Sequence, residues 1–149
     1  MANSHTDVDL RGFQLEIDPA NGAGFADVGT GSAHIVAPWT QALTAGTTYH
    51  YVLTYDGTTV RAYLNGVHIG SGAGSGAVAA SPLPVDIGRN PAYGTDLLAG
   101  TVDEVAVYDH ALPAARVQAH LTAGSGYRSA VLADAPTAYY RLDDQGGAP

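Results

Sequence analysis

The sequence contains no cysteine, and this absence excludes several kinds of chemistry at once. Without thiols the chain forms no disulfides, no thiolate zinc sites and no cysteine nucleophile. An exported module need not contain disulfides, so the cellular compartment stays open at this point.

Positive charge is scarce. Six Lys and Arg residues stand against 14 Asp and Glu residues, and the net charge is -8 at pH 7. Binding to nucleic-acid phosphates needs clustered Lys and Arg, so we do not expect nucleic acid as a partner. The acidic balance is compatible with divalent cations or neutral sugars as ligands. It is equally compatible with a charge that only keeps the protein in solution.

Long hydrophobic runs are also missing. No apolar stretch approaches the roughly 20 residues that cross a bilayer, and we expect no membrane insertion. The polar opening, residues 1–7, lacks the features of a signal peptide. If the protein is exported, we expect its signal to lie outside this chain.

The sequence is rich in glycine, with 19 residues, and 46% of its residues are apolar, while only 13% are charged. A length of 149 residues is sufficient for one domain with a core of its own. Short β-branched and aromatic segments alternate with turn residues along the chain. This pattern predicts an all-β, antiparallel sandwich.

Two hairpin signals lie close together between Thr54 and Gly66. Asp56-Gly57 and Asn65-Gly66 are pairs that favour the positive φ angles of a type I′ turn. The segments around them predict three antiparallel strands in a meander.

Other segments predict a small number of further elements. They are a connecting loop over Pro38–Gly46, a flexible low-complexity loop over Ser71–Gly76, the longest strand within Leu97–Tyr108, one helix over Pro113–Leu121, a linker over Thr122–Ser129 and a last strand over Thr137–Leu142.

Three segments, taken in order, resemble the laminin-G-like domains of bacterial secreted proteins, in the concanavalin A-like lectin/glucanase superfamily. The resemblance covers Gly12 to Gly124 and implies a jelly-roll of two antiparallel sheets with one short helix after the last long strand. The segments are Leu43–Gly57 with Ala62–Gly66, then Ile87–Arg89, then Leu98–Pro113.

The resemblance also implies that the domain is incomplete. Such domains open with a segment like Ala138–Asp144, which here stands near the C-terminus, and the strands that would precede Gly12 are missing. We therefore interpret residues 1–124 as a partial sandwich. Residues 125–149 are a linker plus either the first strand of a following copy or a permuted closing strand. Open sheet edges invite pairing with another chain, so we expect a dimer or strand exchange.

Asp103 and Asp143 are the candidate metal ligands. Relatives of this fold often carry a structural calcium near the strand that holds Asp103, with help from the first-strand region, so the resemblance implies these two carboxylates as Ca²⁺ ligands. Calcium is the only cofactor expected. The alternative is that the Asp103 carboxylate accepts hydrogen bonds from loop amides.

Five residues are candidates for contact with a sugar. Aromatic faces stack on sugar rings, and neighbouring amide, carboxylate and guanidinium groups fix the hydroxyls. The alternative for the tryptophan is packing against the edge of the sandwich. The candidates are Trp39, Arg89, Asn90, Tyr93 and Asp96.

Catalysis is not expected. Glycoside hydrolases need two carboxylates about 5–10 Å apart, and the glucanase relatives place them two and four residues apart on one strand face. The pair Asp103-Glu104 is followed by apolar residues instead, and no GxSxG motif occurs.

The sequence thus predicts a non-catalytic, carbohydrate- or surface-ligand-binding module of a larger extracellular or cell-surface bacterial protein. Its expected partners are a glycan or cell-surface ligand and neighbouring domains of the same polypeptide. The alternative is a structural spacer or assembly domain, of the adhesin or phage-tail-like kind, without a small ligand. Exposed aromatics at Trp39 or Tyr93 would favour binding, and buried ones would favour the spacer.

Overall fold

A computed structural model describes residues 2–3, 10–18, 22–90 and 97–143 of the protein. The chain forms two compact units, the first ending at Leu98 and the second beginning at Ala99. The predicted all-β sandwich class is confirmed. The predicted domain boundary at Gly124 depends on the family resemblance and stays a prediction.

Over its described residues, the first unit contains eight strands in two antiparallel sheets. The larger sheet has the order β4-β3-β2-β1-β8, and the smaller has the order β5-β6-β7. The strands are β1 (Ala2–Asn3), β2 (Arg11–Ile17), β3 (Ala23–Thr30), β4 (His34–Thr40), β5 (Tyr51–Tyr55), β6 (Thr59–Leu64), β7 (Val67–Ala73) and β8 (Asp86–Ile87).

The two sheets of the first unit enclose one hydrophobic core. Side chains alternate across each strand, so every second residue of β3, β4 and β6 faces the core. These residues are nearly inaccessible to water, as expected for side chains that stabilise the fold by burying apolar area. The core cluster comprises Ala26, Val28, Ile35, Ala37, Trp39, Val60 and Ala62.

The predicted meander is confirmed by the pairing of β5 with β6 and of β6 with β7. Asn65 and Gly66 have φ angles of 48° and 76°, as a type I′ turn requires. The first turn differs from the prediction, because Asp56 is not in the positive-φ region. Its Oδ1 instead accepts hydrogen bonds from the backbone N–H groups of Thr58 and Thr59. A longer connection, capped by the Asp56 carboxylate, replaces the expected two-residue turn.

The expected flexible loop over Ser71–Gly76 is wrong, because β7 continues to Ala73. Gly70 and Gly72 alternate along β7 and face the backbone of β4. A Cβ at Gly70 would lie 2.5 Å from the carbonyl oxygen of Pro38, and a Cβ at Gly72 would meet that of Val36. The glycines are therefore a packing surface, which a sequence rich in Gly and Ser does not reveal.

Trp39 lies in β4 and not in the expected connecting loop. Pro38 occupies the same strand, which is an edge of the five-stranded sheet, where a residue without a backbone N–H is tolerated. The prediction failed because Pro38 was taken as the start of a loop.

Between residues 99 and 143, the second unit contains two short strands and two short helices. The strands pair antiparallel, with Tyr139 opposite Ala106. The elements are β9 (Val105–Val107), α1 (Ala114–Thr122), α2 (Tyr127–Ala133) and β10 (Ala138–Tyr140), with a 3-10 turn over Gly124–Gly126 before α2.

The predicted helix is confirmed as α1, with Pro113 immediately before it. The predicted long strand over Leu97–Tyr108 is wrong, because only β9 is extended and Glu104 before it has a φ of 56°. The predicted linker is wrong as well. Residues 124–133 are helical because α2 buries Val131 against α1, whose Val117 is equally inaccessible.

A partly buried charge cluster joins the two helices of the second unit. The Asp134 carboxylate accepts hydrogen bonds from Arg116 Nε at 2.8 and 2.9 Å, and its Oδ2 lies 2.6 Å from His120 Nε2. His120 is only 3% exposed. A buried charge must be paired, and these contacts fix the ends of α1 and α2 together.

Candidate functional site

One face of the five-stranded sheet carries polar side chains, while the other faces the core. Gln14 on β2 lies opposite Asp27 on β3, and directly paired residues of antiparallel strands share a face. Gln14 also lies opposite Asn3, which in turn lies opposite Asp86 on β8. We call this surface the polar face. Its members are Gln14, Glu16, Asp27, His34 and Asp86 on the strands, together with Arg89 and Asn90 shortly after β8.

The centre of the polar face is a hydrogen-bonded network around the Glu16 carboxylate. Its Oε2 accepts hydrogen bonds from the side-chain amides of Gln14 at 2.5 Å and Asn90 at 3.3 Å. Gln14 is 1% exposed and Asn90 is 4% exposed. Because the two nearly buried amides hold one carboxylate oxygen, Gln14 and Asn90 fix the orientation of the Glu16 side chain.

A second pair extends the polar face toward β4. Asp27 is 2% exposed, and its Oδ2 lies 3.8 Å from Nδ1 of His34. His34 is opposite Gly29, two residues beyond Asp27, and therefore lies on the same side of the sheet. The buried carboxylate is thus placed beneath a partly exposed imidazole.

The other side of the polar face ends in an ion pair. Arg89 Nε donates to Asp86 Oδ1 at 2.6 Å, and the Arg89 side chain is 57% exposed while that of Asp86 is 13% exposed. Arg89 also forms an isolated bridge with Leu97. The guanidinium therefore stands at the accessible rim of the face.

Two of the five predicted sugar-contact residues lie at the polar face. Arg89 is at its rim, and Asn90 is in the central network. Tyr93 and Asp96 lie outside the described residues. Sequence reasoning missed Gln14, Glu16 and Asp27. Their signal was the alternation Gln14-Leu15-Glu16-Ile17, which was interpreted as a half-buried strand without regard to the chemistry of its polar side.

Trp39 lies on the opposite side of the same sheet, in the core. It is 6% exposed, and its ring centroid is 6.1 Å from that of Tyr51. The indole therefore presents no free face for a sugar ring. Trp39 therefore packs within the sandwich, in line with the alternative that its role is packing and not sugar contact.

The predicted calcium ligands both lie in the second unit. Asp103 Oδ1 accepts a hydrogen bond from the backbone N–H of Glu104 at 2.8 Å, and Asp143 Oδ2 lies 2.7 Å from Arg141 Nη2. Within the described ranges, no group of three or more His, Cys, Asp or Glu side chains could hold a metal. Ca²⁺ takes six to eight oxygen ligands, so these two carboxylates by themselves do not make a shell for it.

The residue that organises this part of the second unit is Glu104. Its Oε2 accepts a hydrogen bond from the Tyr139 hydroxyl, its Oε1 lies 3.7 Å from Arg141 Nε, and its backbone N–H donates to the Arg141 carbonyl. Burial, together with the bond to Glu104, raises the pKa of Tyr139 to about 12. Glu104 therefore holds the strand after α2 in place.

A laminin-G family model, described as the Concanavalin A-like lectin/glucanases superfamily, matches residues 1–118. A search of curated proteins found no match. Among the helices in the described part of the chain, none has the length and apolar character needed to cross a membrane.

The chain is also similar to a solved structure, residues 221–444 of an S-layer domain-containing protein from Clostridium thermocellum. The TM-score is 0.47 and the sequence identity is 19%. The likeness covers 79% of this chain and 66% of that one, so this chain spans slightly less than two thirds of that structure.

Proposed function

We propose a binding role for this chain, which belongs to the laminin-G-like domains of the concanavalin A-like lectin/glucanase superfamily. In this proposal the polar face binds a neutral, hydroxyl-rich ligand, of which a glycan is the natural example. The observation that carries the proposal is the Glu16 carboxylate, held by the amides of Gln14 and Asn90 on a sheet face that ends in the Asp86–Arg89 pair.

The chemistry of the polar face suits hydroxyl groups. A hydroxyl both donates and accepts, so it pairs with a carboxylate and with a guanidinium. Glu16 and Asp86 supply acceptors, and Arg89 supplies donors at the rim. The inaccessible groups beneath them restrict their movement, and such preorganisation lowers the entropy lost on binding.

Charge determines which ligands fit the polar face. Its carboxylates, Glu16, Asp27 and Asp86, outnumber its one arginine, and the whole chain carries a net charge of -8. An anionic ligand would be repelled by this field, whereas a neutral one would not. We therefore infer uncharged sugars and not sulfated or sialylated ones.

The same face supports a non-catalytic role. Along β2 and just beyond it, Gln14, Glu16 and Asp18 recur at every second position, which is the spacing of paired carboxylates in glucanases. The first of these positions holds an amide, and this amide is hydrogen-bonded to Glu16. Glycoside hydrolysis needs two carboxyl groups with separate acid and base roles. Of these three positions only Glu16 and Asp18 carry a carboxyl group, and Glu16 Oε2 is already held by the amides of Gln14 and Asn90.

We place the module outside the cell or on its surface, as one part of a larger multidomain bacterial protein. Support comes from the family, whose members resemble this chain and occur in secreted proteins. The neighbouring domains of the same polypeptide would then be its covalent partners, and a glycan or cell-surface molecule its ligand.

A glycan array, probed with the purified chain in calcium and again in EDTA, tests the binding role. Arg89→Ala is the test variant, and Arg61→Ala is the matched control. Arg61 also forms a 2.6 Å ion pair with one aspartate, Asp56, but on the smaller sheet. Binding to uncharged glycans should be lost in the first variant and kept in the second. Equal binding by both would remove the polar face as the site.

A structural spacer is the second candidate, and the burial of Trp39 favours it. The chain's one tryptophan is unavailable as a stacking platform, so a sugar would have to be held without it. A folded chain that binds nothing on the array, with or without calcium, would support the spacer role. A hit that disappears in EDTA would instead direct attention to Asp103 and Asp143.

A further inference from the structure

Strand β10 closes the second unit through a short and specific set of contacts. It pairs with β9 over three residues, with Ala138 opposite Val107. The backbone N–H of Thr137 donates to the Val107 carbonyl at 2.8 Å, and the Glu104 carboxylate receives the Tyr139 hydroxyl. All of these contacts join β10, or the residue immediately before it, to the segment 104–107.

The connection from α2 to β10 is strained. Three residues, Ala135–Thr137, connect Asp134 at the end of α2 to β10, and we call them the hinge. Ala135 has a φ of 49°, a left-handed conformation that disfavours residues with a Cβ. It also precedes Pro136, and a residue before proline prefers an extended backbone. The observed hinge therefore holds Ala135 in an unfavourable left-handed conformation, and an extended hinge would remove this strain.

We propose that β10 exchanges between two copies of this chain. In the exchanged dimer the hinge is extended, and β10 of each copy pairs with β9 of the other. Every contact between β10 and the segment 104–107 is remade with the partner, so the pairing energy is conserved. Extension of Ala135 then favours the dimer, and short hinges under strain are a general route to such exchange.

The surface that receives the exchanged strand is β9 together with Glu104. Its occupant is identified by chemistry: an extended segment with a tyrosine that reaches Glu104 and an arginine two residues later. In the described part of the chain, Tyr139 and Arg141 meet this requirement in the observed register. A second copy therefore provides a partner that fits without any new surface.

Disulfide trapping tests the exchange, and the absence of native cysteine makes the result unambiguous. One chain carries Val107→Cys, and a second, differently tagged chain carries Ala138→Cys. The two positions are directly opposite, where Cβ atoms lie about 4.5–5.5 Å apart, within the usual reach of a disulfide after small adjustment. After the chains are refolded together in a glutathione buffer, a disulfide-linked heterodimer is expected.

Two controls fix the meaning of that heterodimer. Val107→Cys mixed with Ser129→Cys measures random collision, because Ser129 is exposed on α2. A single chain with both Val107→Cys and Ala138→Cys, oxidised at high dilution where exchange is suppressed, should form an internal disulfide, which shows that the variants fold in the observed register.

The hinge gives a second, independent test. Ala135→Gly removes the penalty for the left-handed conformation. The closed monomer should therefore become more stable relative to the exchanged dimer, and the yield of heterodimer should fall roughly tenfold. A heterodimer yield no greater than the Ser129 control would overturn the proposal. So would a dimer seen by light scattering without the Val107–Ala138 crosslink, because that result indicates addition of whole chains at another sheet edge.

Discussion

Trp39 lies directly against the backbone of Gly24, on the neighbouring strand. A Cβ at position 24 would stand 2.6 Å from the indole carbon Cζ2, closer than real side-chain contacts allow. The two residues are paired in register between β3 and β4. The glycine thus creates the space that the indole fills, and this pairing makes Trp39 a core residue.

Gly24→Ala should therefore destabilise the first unit by about 1–3 kcal/mol, since an extra methyl group in a packed site forces its neighbours to move. Unfolding in urea, followed by the fluorescence of the single tryptophan, reports on this unit directly. The exposed change Ala77→Ser serves as the control and should stay within about 0.5 kcal/mol of the wild type. Equal midpoints for the two variants would show that the indole can move away.

The glycine surface of β7 gives a second prediction. Gly72→Ala should lower the free energy of unfolding by about 1–3 kcal/mol, because the new methyl group meets the Val36 carbonyl oxygen on β4. Ser71→Ala, one residue earlier, changes an exposed side chain and is the matched control. If both variants unfold at the same urea concentration, β7 does not pack on β4 as described.

The network around Glu16 predicts a pH-dependent defect. Gln14→Glu would place a second carboxylate against that of Glu16, and a like charge in a buried site disfavours ionisation of both. The folded-state pKa of the pair is then raised, so the variant is most destabilised at neutral pH, by about 3 kcal/mol, and recovers as the pair gains a proton in acid.

Thermal unfolding of this variant between pH 4 and 7 measures that recovery. Gln41→Glu, which adds the same charge at an exposed position, should show neither the loss at neutral pH nor the recovery in acid. A variant that is equally stable at both ends of the range would mean that Gln14 and Glu16 are not in contact.

The Asp134 cluster predicts acid sensitivity of the second unit. Burial disfavours the charged form of Asp134, but hydrogen bonds from Arg116 and His120 outweigh it and hold the pKa below its usual range. A lowered folded-state pKa stabilises the fold above the unfolded value, near pH 4, and this contribution is lost as the pH falls further. Helical circular dichroism should therefore decrease below about pH 4.

Asp134→Asn removes the charge and should reduce helicity at neutral pH while abolishing most of the acid dependence. Asp109→Asn is the matched control, because Asp109 also contacts a histidine, His110, but is 82% exposed. An unchanged acid profile in Asp134→Asn would contradict the role assigned to the cluster.

The sequence was informative where a residue's conformation depends on its neighbours in the chain. Asn65-Gly66 specified a tight hairpin, and Pro113 marked the start of α1, because both signals act within a few residues. The sequence was misleading where contacts between residues far apart in the chain determine the local conformation. Thr122–Ser129 was expected to be a linker, yet most of it is helical, and α2 buries Val131 against α1. A strand was predicted within Leu97–Tyr108, but the observed strand begins only at Val105, directly after Glu104, whose φ is left-handed.

The residues of the candidate site show the same difference between local signals and long-range contacts. Arg89 and Asn90 were predicted from their residue types next to a predicted loop, and they lie at the proposed site. Glu16 was not found, because its contact with Asn90 spans 74 residues of sequence. No local pattern encodes a contact at that separation.

The sequence by itself determined the class of this protein, since alternation, turn pairs and a family resemblance are all carried by short segments. Only the tertiary structure decided which surface is polar and which is core. Trp39 and Glu16 lie on opposite faces of one sheet, and strand register, set by the pairing of β2, β3 and β4, assigns each side chain to its face. Register depends on many residues at once, and for that reason the tryptophan is in the interior while an amide-bound carboxylate stands at the proposed site.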